Sequence, residues 1–298
     1  MNNIKTLTVY LGSSGYASDA YKQTAIDLGH TIAEKDYYLV YGGMDAGLMG
    51  LLAKAVLEKS GDVTGIVPQK LKDSERILPN LSETILVEDL WDRKKRMFKM
   101  ADAILALPGG FGTLDESLEV LYWGSLKLHN KPLVLINIEG YWDKLIGYLY
   151  SMGSFDERYL IVVNNLDDIW PKLESWEPIA IPPDTPHHYP HFEAEITRIT
   201  DQYVIIDKAN IENTYYAICA LGLKQLGKHD RPIGFINENG QFDNLLEWLE
   251  RAAKETFITQ KCLQLFDSAP TREELSKKLA DQNHVDIDLH NEKWGDAV

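Results

Sequence analysis

The stretch Pro108-Gly109-Gly110-Phe111-Gly112-Thr113-Leu114-Asp115-Glu116 decides the fold of this chain. Before it runs Ala103-Ile104-Leu105-Ala106-Leu107, an apolar segment that predicts a strand buried on both faces. After it, Leu114, Leu118, Leu121, Tyr122 and Ser125 recur at helical spacing, predicting a helix over Leu114 to Leu128. The glycines therefore sit where a strand stops and a helix starts. Backbone N–H groups at a helix start point outward and carry partial positive charge. Gly109, Gly110 and Gly112 let that backbone approach an anion without Cβ atoms in the way. Glu116 is expected in the first helical turn, facing the same crevice. An anion cradle with a carboxylate beside it points to chemistry on a phosphorylated small molecule.

Outward from this stretch, strands and helices alternate. Strands are predicted at Thr6–Leu11, Tyr37–Tyr41, Val63–Val67, Thr84–Val87, Leu133–Asn137 and Ile161–Val163. Helices are predicted at about Asp19–Lys35, Leu48–Glu58, Leu90–Met100, Trp142–Tyr150 and Leu166–Leu173, with a surface loop over Leu71–Ser82. Such alternation means a parallel sheet covered on both faces: an α/β, Rossmann-like, doubly wound fold. Three glycine-rich turns, at residues 12–15, 42–47 and 109–112, end strands. In open parallel sheets ligands bind in the crevice outside those ends. None of the turns matches the dinucleotide fingerprint G-x-G-x-x-G well, and no G-x-x-x-x-G-K-[ST] loop is present, which disfavours an ATPase.

The 298 residues suggest one large or two medium domains. A formal net charge of −15 lacks the basic footprint that nucleic-acid polymers require, but leaves a small nucleotide open. No apolar run approaches a membrane span, and the start leads straight into a strand without a secretory pattern. Two cysteines, Cys219 and Cys262, without metal-like spacing predict a reduced, cytoplasmic setting.

Five prolines between Pro178 and Pro190 predict a stiff linker over 177–190, closing a first domain at 1–176. The remainder, 191–298, predicts a second, smaller α/β domain with a polar, loosely held tail after His284. It echoes the first: Lys131-Pro132-Leu133-Val134-Leu135-Ile136-Asn137 and Arg231-Pro232-Ile233-Gly234-Phe235-Ile236-Asn237 lie 100 residues apart. At that offset Leu121, Leu126, Gly140, Asp143, Leu145 and Leu149 also recur. Residues from about 190 to 282 are therefore expected to be a degenerate copy of the later half of the first domain. The copy has Lys208-Ala209-Asn210-Ile211-Glu212-Asn213 for the glycine motif and Tyr216 for Glu116.

The opening stretch resembles the P-G-G-x-G-T-x-x-E motif of the Lonely Guy family, cytokinin riboside 5′-monophosphate phosphoribohydrolases once labelled lysine decarboxylases. Gly12-Ser13-Ser14, Tyr41-Gly42-Gly43, Gly47-Leu48-Met49-Gly50, Asp92-Arg93-Lys94 and Gly140-Tyr141-Trp142 fit the same family in the same order. The resemblance covers about residues 5–175. It implies hydrolysis of the N-glycosidic bond of a nucleoside 5′-monophosphate to free base and ribose 5-phosphate. It implies Arg93 and Glu116 as catalytic. It implies substrate contacts from Gly12, Ser13, Ser14, Gly42, Gly43, Met49, Lys94, Gly109, Gly110, Gly112, Thr113 and Glu119. It implies no metal or organic cofactor, and a homodimer; the C-terminal copy lies outside the family pattern and is expected to act as a built-in interface element.

Several roles stay open at this level. Glu116 can stabilise an oxocarbenium-like state or activate water. Arg93 can grip phosphate or neutralise the departing base. Glu119 fits a ribose contact or a structural pair. Asp45 reads as a turn residue, and Trp91 and Trp123 as packing. His187, His188 and His191 lack the carboxylate framework of a metal site. Leu90-Trp91 and Met44 depart from the family pattern at positions expected to border the base pocket. The different class of answer is a non-catalytic nucleotide-binding or sensing protein. A decarboxylase would need a pyridoxal phosphate lysine; Lys94 and Lys95 lie beside the crevice, without the other residues that cofactor needs.

Overall fold

The structure, a computed structural model, describes residues 4–71, 77–185, 188–198, 200–289 and 291. Seven strands form one parallel sheet: β1 (Thr6–Tyr10), β2 (Tyr38–Tyr41), β3 (Val63–Pro68), β4 (Glu83–Val87), β5 (Ala103–Ala106), β6 (Leu133–Ile136) and β7 (Leu160–Val163). Their order is β4-β3-β2-β1-β5-β6-β7. The chain winds outward from β1 in one direction, then returns to place β5 on the other side of β1. Register there runs Leu7↔Ala103 to Tyr10↔Ala106. Strands buried on both faces are continuous apolar runs, which is why β3, β5 and β6 lack alternation.

The crossovers are α1 (Asp19–Glu34), α2 (Gly47–Glu58), α3 (Leu90–Met100), α4 (Phe111–Ser125) and α5 (Asp143–Met152), and α6 (Ile169–Ser175) follows β7. α4 begins three residues before the apolar spacing suggests, because Gly110 serves as its N-cap. Glu116 is therefore in the second turn, and a carboxylate answering the helix dipole at its first turn is not its position. Part of the expected surface loop is instead structural: Ile77 bridges Met44 and the buried Leu78 donates its N–H to the Gly43 carbonyl at 3.2 Å. Residues 72–76 of that loop lie outside the described residues.

The second part contains α7 (Glu193–Arg198), β8 (Val204–Ile206), α8 (Ile211–Gln225), β9 (Ile233–Ile236), α9 (Asp243–Lys254), β10 (Phe266–Ala269) and α10 (Arg272–Ala280). Its three strands form a separate parallel sheet, β10-β9-β8. The 100-residue offset holds in three dimensions. α4 and α8 share it at both ends, as do β6 and β9. Asn137 and Asn237 make the same bonds: each N–H donates 2.7 Å to the following strand, and each side-chain oxygen accepts from residue 142 or 242. Glu139 and Asn239 both take φ 53°. His129 and His229 recur at the same offset, and each contacts a carbonyl nine residues back, Val120 and Ala220. In the tail, Val285 and Ile287 pack against the core.

Candidate active site

The strand order reverses between β1 and β5, and two glycine turns meet outside that point. The Gly12 N–H donates to the Pro108 carbonyl at 3.0 Å, and the Leu48 N–H to the Gly12 carbonyl at 3.1 Å. Gly47, with φ +49°, opens α2 in a backbone conformation that side chains disfavour. The Tyr141 hydroxyl donates to the Gly109 carbonyl at 2.6 Å and fixes the third turn from behind. Neither α2, with N-cap Ala46, nor α4, with N-cap Gly110, has a side-chain cap. By contrast, Ser18, Asp89 and Asn210 cap α1, α3 and α8 with their side chains. The first-turn amides of α4 thus lack a side-chain acceptor next to the cleft.

The cleft is lined by Gly12, Ser13, Gly42, Met49, Arg93, Gly110, Gly112, Thr113 and Glu116, together with Val9, Tyr10, Leu11 and Met97. It holds about 470 Å³ of empty space including its open mouth, the size of a small-molecule site. Tyr10 and Met97 were not foreseen. Their signal was available in part: Tyr10 ends β1, and the strand end at a switch point faces the ligand.

Arg93, from α3, and Glu116, from α4, face each other in this cleft with Nη2 and Oε1 3.7 Å apart. Only 7% of Glu116 is exposed. Burial pushes its carboxyl up from 4.5 to about 7, against the lowering pull of Arg93 and Lys94. It is thus poised between acid and base near neutrality.

Lys94 takes a different place. It is buried and does not line the cleft. Its Nζ lies 2.7 Å from Asp115, 2.8 Å from Glu193 and 3.3 Å from Glu119. Burial opposes its charge, but Asp115 and Glu119 outweigh that and hold its pKa well above the ordinary value. Glu119 also accepts a hydrogen bond from the Tyr215 hydroxyl. Burial raises the pKa of both Glu119 and Asp115, with Lys94 pulling the other way. Lys94 and Glu119, both expected as substrate contacts, are instead members of a buried ionic cluster behind Arg93 and Glu116.

Three further expected contacts do not line the cleft. Ser14 is fully buried, with its Oγ 3.4 Å from Thr256 Oγ1. Gly43, with φ +77°, packs against Val67 and Gly65, and a Cβ on Gly109 would sit 2.1 Å from Thr113 Oγ1. These glycines shape the turns while their neighbours line the cavity. Met44 and Trp91 do not line it either: Trp91 stacks on His191 at 3.7 Å and meets Trp123 edge-on. Asp45 pairs with Lys54 at 2.8 Å. Pro186 and His187 lie outside the described residues. Among the described residues no group of three or more His, Cys, Asp or Glu could hold a metal ion.

An amide-rimmed cleft at the switch point of a parallel α/β sheet, holding an Arg beside a buried Glu, is the site of a small-molecule phosphate-ester enzyme. The chain belongs to the family described as "Possible lysine decarboxylase", whose model matches residues 49–173 and 217–279. It is 37% identical over 184 residues to the cytokinin riboside 5′-monophosphate phosphoribohydrolase LOG5 of Arabidopsis thaliana, covering 60% of this chain and 81% of that one. With LOG1 of the same plant it is 40% identical over 195 residues, covering 59% and 92%. The molybdenum cofactor carrier protein of Chlamydomonas reinhardtii superposes with a TM-score of 0.46 at 19% identity, over 58% of this chain and 98% of that one.

Proposed function

We propose that this chain hydrolyses the N-glycosidic bond of nucleoside 5′-monophosphates, adenine-type or cytokinin-type, to the free base and ribose 5-phosphate. The observation that carries the reading is the Arg93–Glu116 pair set at 3.7 Å in the amide-rimmed cleft. The amides opening α4, with Ser13 and Thr113, take the 5′-phosphate. That remote contact places the ribose so that its anomeric carbon faces Glu116. As the C1′–N bond breaks, its electron pair leaves with the base and positive charge grows on the ribose. The Glu116 carboxylate stabilises that charge and accepts a proton from the attacking water, whose oxygen bonds to C1′. The Arg93 guanidinium holds Glu116 in its charged form and offers a cation to the phosphate or to the departing base.

The relatives named as phosphoribohydrolases support this reading. A decarboxylase needs an amine free to form an imine. The lysine adjoining Arg93, Lys94, is instead held by three carboxylates behind the cleft. No helix among the described residues is long and apolar enough to cross a membrane. Two buried cysteines suit a reducing cytoplasmic compartment, and the charge of −15 suits a nucleotide better than a nucleic acid. The test is to incubate the protein with AMP and other nucleoside monophosphates, including isopentenyladenosine monophosphate, and to quantify free base. Release from at least one, abolished in Glu116→Ala, is expected; binding without release from any would overturn the proposal.

A further inference from the structure

The two repeats meet through paired contacts that exchange places. Lys144 in α5 bridges Glu247 in α9 at 2.5 Å. At the swapped positions, a Cβ on Gly147 would lie 3.5 Å from the Asn244 side chain. Trp142 stacks on Trp248, centroids 5.5 Å apart and planes 11° apart, while Phe242 faces Tyr148 at 6.2 Å. The turn after α5 reaches the start of α8, where the Ile211 N–H donates to Ser154 Oγ at 2.7 Å. Reciprocally, the turn after α9 reaches the start of α4, where Phe257 packs on Gly110. When residue i of one unit meets j of the other, and j meets i, the interface is that of a two-fold dimer. Here both halves belong to one chain.

Among its described residues the second half has three strands, matching β5, β6 and β7, with no counterparts of β1 and β2 and their glycine turns. Asn210 caps α8 with its side chain, accepting from the Asn213 N–H at 2.8 Å where α4 has the bare Gly110. Tyr216 stands at the place of Glu116. Yet the second half braces the site of the first. The Phe257 ring lies 2.5 Å from a Cβ built on Gly12, and its carbonyl 2.3 Å from one on Gly110. Arg251 donates to the Gly140 carbonyl at 2.8 Å and the Glu139 carbonyl at 2.7 Å. Tyr215 donates to Glu119 in the cluster behind the catalytic pair.

We infer that residues 191–282 are a built-in partner subunit, occupying the α4–α5 face that a second copy of the first repeat would take. The family resemblance implies a homodimer, and in this chain the α4–α5 face is filled from within. The inference is independent of what the cleft hydrolyses, because it rests on the interface alone. Gly147 is exposed and Asn244 partly so, which makes the pair a reporter. A full-length Gly147→Cys/Asn244→Cys variant, treated with a short-armed bismaleimide, should yield a bridge between these two positions within one chain, of single-chain mass. The unaltered chain gives a second reading: carbodiimide should couple Lys144 to Glu247, again within one chain. A bridge joining two chains in either experiment would show that another copy supplies the partner and overturn the inference. So would modification of both new cysteines without a bridge.

Discussion

Arg93 Nη2 stands 3.7 Å from Glu116 Oε1 across the cleft between the ends of β1 and β5. The distance is that of an ion pair rather than a close hydrogen bond, so each group keeps capacity for a ligand. Neither residue is near the other in sequence; α3 and α4 bring them together.

Glu116→Gln should reduce base release by roughly 10²- to 10⁴-fold, the span of a lost acid–base group. Nucleotide binding, read by titration calorimetry, should persist, since the amides that take the phosphate are untouched.

The same substitution should change stability with a defined sign. The folded pKa of Glu116 is raised from 4.5 to about 7, so the folded chain binds the proton more tightly than the unfolded one. That stabilisation is complete below pH 4.5 and lost as pH rises through 7. Glu116→Gln should therefore be more stable than the parent above pH 7, by at most about 3 kcal/mol. The gain should vanish near pH 4.5 in denaturant titrations.

For the unaltered chain, kcat/KM should rise with pH and level off above a midpoint near 7. A phosphomonoester substrate titrates lower, at about 6. In Arg93→Ala the midpoint should move up, because Arg93 is a lowering influence on Glu116, and kcat/KM should fall by about 10²-fold or more.

Gly110→Ala and Gly112→Ala should separate fold from site. A Cβ on Gly110 would meet the Phe257 carbonyl at 2.3 Å, so that variant should lose several degrees of Tm. A Cβ on Gly112 meets nothing within 4 Å and lies in the first turn of α4. Gly112→Ala should keep or raise stability, by up to about 1 kcal/mol of helix propensity, while the methyl raises KM by about tenfold or more.

Tyr215→Phe removes the hydroxyl that donates to the buried Glu119. A loss of about 1–3 kcal/mol of stability, read from denaturant midpoints, is expected, as for a lost hydrogen bond to a buried carboxylate that keeps its Lys94 partner. The loss would show the second repeat stabilising the cluster behind the site.

Much of the architecture was legible because its signals are local. A strand buried on both faces is a continuous apolar run, and a helix start beside a glycine turn is written in adjacent residues. α3 was placed at its observed ends, Leu90 and Met100, because the breaks on either side are sharp. α4 starts earlier than expected: Phe111 is in step with Leu114 and Leu118, but the glycines on either side of it read as a turn, and the backbone bond from the Leu114 N–H to the Gly110 carbonyl shows the helix already begun. The 100-residue recurrence was also legible, because equal spacing survives even where the residues differ.

What the chain by itself determined is which groups exist at strand ends: the glycine turns, Arg93, Glu116, and the loss of that set at 208–216. Which of them face the cleft was decided only by the tertiary structure. Lys94 follows Arg93 in sequence, yet one step along a helix turns a side chain by about a quarter turn or more. Arg93 thus points into the cleft while Lys94 points into Asp115, Glu119 and Glu193. No local pattern encodes that difference, because two of its causes, Glu193 and Tyr215, lie about 100 residues or more away in the chain. They reach the cluster only when the second repeat folds back onto the first.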